Sequence, residues 1–165
     1  MARWMTLLGL AAALLAGWGV YLFFSSDPVE RSASLILFPD DQQIITAGEI
    51  IYKENCAACH GANLEGQVED WRSPGHDGLM PAPPHDENGH TWHHAEEVLF
   101  AITKLGVAKA AGLSDYQSNM PAYEGVLTDA EIIAVLSFIK STWPEEMRKG
   151  HDEMSELYSM EGESG

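Results

Sequence analysis

The sequence predicts an all-α fold, and three observations carry that expectation. Segments 94–105 and 128–143 place apolar residues at helical spacing, and 43–60 reads as an earlier helix. Residues 61–90 are rich in Gly, Pro, His and Asp and read as a loop, one too long for a small domain unless a bound group serves as the core it wraps. The pentapeptide Cys56-Ala57-Ala58-Cys59-His60 ends the first helix with the attachment signature of a c-type haem.

The spacing of that motif has a chemical reason. Residues three apart on a helical turn share a face. Two thiols so placed can add across the two vinyl groups of one haem edge as thioethers. The adjoining His60 is then directed at the iron as the proximal ligand. A C-x-x-C pair alone could also be a thiol-redox site or half of a zinc site. The adjacent His60 counts against both, as does the chain's having only these two cysteines.

The elements follow in order. Residues 1–24 read as a membrane anchor, because Trp4 to Phe24 carries no charge and matches the roughly 20 apolar residues of a spanning helix. A cleaved signal peptide is the rival, with a shorter apolar core and a small-x-small site. Ser32-Ala33-Ser34 is the nearest such site and lies far downstream, so an uncleaved anchor is expected. Arg3 precedes the span, which places the N-terminus in the cytoplasm and the rest in the periplasm of a bacterial inner membrane. Residues 25–42 read as a linker broken by Pro28 and Pro39, with Leu35-Ile36-Leu37-Phe38 packing on the domain or on the bilayer.

The domain proper spans 43–143. Helix 43–60 runs into the haem motif. Helix 94–105 carries Val98, Leu99, Ile102 and Leu105, with Gly106 as its stop. Residues 107–127 form a second loop. Helix 128–143 opens with the capping box Thr128-Asp129-Ala130-Glu131 and buries Ile132, Val135, Leu136 and Ile139. An acidic tail, 144–165, follows Trp143-Pro144 and reads as a short, partly disordered helix.

The net charge of −16, from 25 acids and 9 bases, excludes nucleic acid as a partner and disfavours anionic headgroups. It points to redox proteins that present basic docking patches.

Residues from about Thr46 to Trp143 resemble the monohaem class I cytochromes c. Gly48, Tyr52 and Cys56 fall at the family's four-residue spacings. Asn119-Met120-Pro121-Ala122-Tyr123 matches its distal-methionine loop, just ahead of the capped last helix. Phe138, with Val135 one turn earlier, matches the aromatic that meets the first helix at Gly48. The resemblance implies a cytochrome c fold around one haem c, held by Cys56 and Cys59, with His60 and Met120 as axial ligands. Met80, in a second Met-Pro-Ala, is assigned to the strand lining the haem edge. Pro83 and Pro84 are expected to shape the proximal side, Trp92 the haem rim, and Asn119 to bond near the methionine sulfur or a propionate.

Two features depart from the family. Residues 85–94 concentrate histidines, and with His76 and Met80 they allow either a copper site or a polar loop. In the loop reading one histidine caps helix 94–105. In the tail, Met147, His151 and Met154 share one helical face and raise the same question.

With both axial positions closed, no substrate reaches the iron, and the expected function is single-electron transfer by a tethered periplasmic cytochrome rather than catalysis. The alternatives are a cytochrome subunit of a periplasmic dehydrogenase or copper-linked oxidase, and a sensor with a displaceable distal ligand.

Overall fold

In the computed structural model, which describes residues 37–163, the chain enters through an extended segment that belongs to the core. Leu37 is 4 % exposed. Its N–H donates to Glu96 Oε2 at 2.9 Å, and that of Phe38 donates to Ser137 Oγ at 2.9 Å. The apolar end of the linker thus packs on the domain. The expected anchor, residues 1–24, lies outside the described residues. No helix among the described residues is long and apolar enough to cross a membrane.

Helix α1, Gln42–Asn55, is capped by Asp41, whose carboxylate accepts from the N–H groups of Gln43 and Ile44. It buries Gly48 and Tyr52, one turn apart. The expected continuous helix 43–60 breaks at Cys56, and Ala57–His60 forms a separate short helix, α2. The cause is a competing donor. A continuous helix would give Asn55 O to the Cys59 N–H. Here Asn55 O accepts from Tyr123 Oη at 2.5 Å, and the Cys59 N–H turns to Cys56 O at 3.1 Å.

A 3-10 turn, Thr91–His93, leads into α3, Glu96–Leu105. The expected histidine cap is absent from α3: its N-cap is Ala95, and the Glu96 N–H donates instead to Ser155 Oγ at 3.2 Å. Its buried face is Glu96, Leu99 and Thr103, while Val98, Ile102 and Leu105 are half-buried. A short helix α4, Val107–Ala110, opens the segment expected to be loop throughout.

Helix α5, Asp129–Ser141, starts with the expected capping box, in which Thr128 and Glu131 satisfy each other's backbone donors. Its buried stripe is the expected one, extended by Ala134, Ser137 and Lys140. Helices α1 and α5 cross where a Cβ on Gly48 would lie 2.0 Å from Ala134 O and 2.8 Å from Phe138 Cβ. The rings of Tyr52 and Phe138 meet beside the crossing, 5.5 Å apart. Leu37, Leu64, Leu99 and Trp143 complete the core around this pair.

The tail differs most from expectation. It forms a 19-residue helix, α6, Glu145–Glu163, docked on the domain. The docking uses polar groups, which is why an apolar stripe does not announce it. His151 and Ser155 are buried. The Lys140 ammonium, 1 % exposed, bonds both Glu96 Oε1 and Asp152 Oδ1. Arg148 pairs with Asp40 at 2.8 Å.

Candidate haem site

Cys56 is half-buried and Cys59 exposed, and neither forms a disulfide. Burial, with the neighbouring Cys59, pushes the Cys56 thiol up to about 11. A redox-active cysteine is tuned the other way, toward thiolate.

His60 is 7 % exposed. Its Nδ1 lies 2.9 Å from Pro83 O. A carbonyl only accepts, so Nδ1 carries the proton and Nε2 keeps its lone pair. Burial holds the imidazole below its ordinary pKa, with the Pro83 contact opposing that shift, so the neutral form persists. A neutral imidazole with Nδ1 pinned and Nε2 bare is what an iron ligand requires.

Pro83 is held in place by a network the sequence did not reveal. The N–H of Gln67 donates to Ala82 O at 2.9 Å, and that of His85 to Leu64 O at 2.8 Å. Leu64 takes the left-handed φ of 66° that this return requires. Pro84 is buried so closely that a Cβ on Gly89 would lie 2.0 Å from its carbonyl oxygen. Tyr52 Oη donates to Gly61 O at 2.8 Å and holds the backbone just beyond His60.

Sequence reasoning treated His85 only as one of several loop histidines. Its ring stacks on that of His60 at 4.0 Å between centroids. His85 Nδ1 meets Thr91 Oγ1 at 2.8 Å, and its carbonyl accepts from Trp143 Nε1 at 2.7 Å. Its position two residues after Pro83 was the available signal.

Met120 is half-buried and Asn119 is exposed. The loop that carries them is fastened just beyond. The N–H groups of Tyr123 and Glu124 donate to Thr103 O and Lys104 O at 3.1 and 2.8 Å. Tyr123 Oη reaches the residue before Cys56. Met80 is 40 % exposed, and Ala82, two residues on, is held by Gln67 through both its N–H and its carbonyl.

Trp92 packs against the core, and its buried Nε1–H has no partner among the described residues. An orphaned buried donor at this place fits a bound group that brings its own acceptor, such as a haem propionate. Trp92 also stands in the wall of one of the two cavities described. That one is lined by α6 and the 91–93 turn, and the other by α1, α5 and Phe38.

The family model for cytochrome c matches residues 45–143, more than half of the chain. The CcoP subunit of the cbb3-type cytochrome c oxidase of Rhodobacter capsulatus is 27 % identical over 103 residues, which is 62 % of this chain and 31 % of that subunit. The chain thus spans about a third of that relative's length. No solved structure matches.

Proposed function

The chain belongs to the cytochrome c family and carries covalently bound haem c, and from that premise we propose that it is a membrane-tethered periplasmic electron carrier and not itself an enzyme. Cys56 and Cys59 form the thioethers, and His60 and Met120 close the two axial positions. When bound, the haem supplies one-electron chemistry at its iron. The protein's own residues do the rest. Pro83 O orients the His60 ring. Tyr123 fastens the methionine loop. On this reading Trp92 Nε1–H and Asn119 would donate to a propionate or the sulfur, and Pro83 and Pro84 would wall the proximal side.

The observation that carries this reading is the 2.9 Å contact between His60 Nδ1 and Pro83 O, which leaves Nε2 as the free donor. The tether rests on the uncharged run from Trp4 to Phe24. Basic docking patches on partners rest on the net charge of −16.

Exposure of the reduced protein to carbon monoxide tests the reading. Two closed axial positions predict no binding and an unchanged haem spectrum. Rapid binding would favour a sensor with a displaceable ligand. The similarity to an oxidase subunit favours one second reading, a cytochrome held permanently in an oxidase complex. Co-purification of a stable partner from detergent distinguishes it from a mobile carrier.

A further inference from the structure

A cavity lies between α6 and the 91–93 turn. It measures about 450 Å³, and its walls include Trp92, His93, Met147, Gly150, His151 and Met154. Met147, His151 and Met154 fall at i, i+4 and i+7 of α6, so all three share one face. His93 faces them from the turn, its ring packed 3.6 Å from that of Trp92. The structure thus joins the two donor-rich stretches that the sequence kept separate.

His151 has an unusual place in this wall. It is 1 % exposed. Its Nε2 lies 2.9 Å from His94 O, which can only accept, so Nε2 carries the proton. Nδ1 is then a bare lone pair, and it is buried without a partner among the described residues. A buried acceptor left without a hydrogen bond is unfavourable. Imidazole ligands of metals are commonly arranged in this way, one nitrogen donating to a backbone carbonyl and the other free for the ion.

We infer that this cavity is a binding site for one cuprous ion, with the thioethers of Met147 and Met154 and the imidazoles of His151 and His93 as donors. Two thioethers and two neutral imidazoles form a soft donor set, which selects Cu(I) over Mg²⁺, Ca²⁺ and other hard cations. A carboxylate alternative is already filled. Glu96, Asp152 and His151 lie close enough together to hold an ion, but the Lys140 ammonium bonds both carboxylates. The cysteines, committed to thioethers, offer no competing thiolate. Gly150 lies on the wall with open space where a side chain would project, which leaves a path for the ion.

The test uses the full-length holoprotein in detergent, anaerobic and with the haem reduced, titrated with Cu(I) buffered by a chromophoric chelator. One Cu(I) per chain should be withdrawn from the chelator, and X-ray absorption at the copper edge should show both sulfur and nitrogen neighbours. The variant M147L/M154L conserves volume and apolarity, so its haem spectrum should not change. Its Cu(I) affinity should fall by about 100-fold or more, since even outer-shell changes at metal sites cost about 10–100-fold. Should that variant lose its haem spectrum, M154L alone carries the test, with an affinity loss of about tenfold expected on the same grounds. Failure to take copper from the chelator, wild-type affinity in the double variant, a copper edge without sulfur, or Zn²⁺ bound as tightly as Cu(I) would each overturn the site.

Discussion

Tyr123 Oη donates a 2.5 Å hydrogen bond to Asn55 O across 68 residues of chain. It joins the methionine loop to the residue before the first haem cysteine, and it breaks the helix there. One contact thus links the haem motif to the loop that carries Met120. Tyr123→Phe removes this hydrogen bond, at a cost of about 0.5–1.5 kcal/mol. Chemical denaturation of the oxidised holoprotein should show that loss. Cyanide should also displace the distal ligand faster in this variant, because the loop is free to swing. A variant with wild-type stability and wild-type cyanide kinetics would deny the contact this role.

Gly48 gives a prediction whose sign is informative. Alanine is the better helix former by about 1 kcal/mol, so propensity alone would make Gly48→Ala stabilising. The added Cβ would instead meet Ala134 O at 2.0 Å, a backbone atom that cannot step aside. Overpacking of this kind costs about 1–3 kcal/mol or more, and it should win. A raised denaturation midpoint would mean that α1 and α5 do not cross here as described.

Lys140 pairs with Glu96 at 2.6 Å, both almost fully buried. Lys140→Met strands the Glu96 carboxylate, whose pKa burial already raises and the ammonium holds down. Breaking one side of a buried pair costs about 3–5 kcal/mol. The double variant K140M/E96Q should recover much of that loss, because no buried charge remains. Additive effects of the two substitutions, measured in a double-mutant cycle, would argue against the pairing.

The net charge of −16 makes encounter with a partner sensitive to salt. Electron exchange with a basic redox protein should slow as ionic strength passes about 0.1 M, where the Debye length is about 10 Å. Removal of residues 1–24 should slow exchange with membrane-bound partners more than with small reductants, since tethering raises effective concentration. Stopped-flow rates indifferent to both changes would point to a permanently docked subunit.

What could be read from the sequence was what local chemistry dictates. The haem motif, the capping box at Thr128 and the stripe of α5 are encoded by short spacings, and the Gly48–Phe138 encounter came from the family resemblance. The break at Cys56 was hidden because its cause, Tyr123, lies 68 residues away. The docked α6 was hidden because Lys140, His151 and Ser155 are polar residues that bury only by finding one another. The stacking of His85 on His60 depends on the return of the 61–85 loop, which hangs on a left-handed Leu64 that no pattern signals.

The axial pair is tested most directly by the near-infrared charge-transfer band and the reduction potential of the oxidised protein in two variants, Met120→Ala and Met80→Ala. A thioether on the iron produces the band and raises the potential. The account predicts that Met120→Ala loses the band and falls in potential, while Met80→Ala keeps both. A band that survives in Met120→Ala and vanishes in Met80→Ala would contradict it.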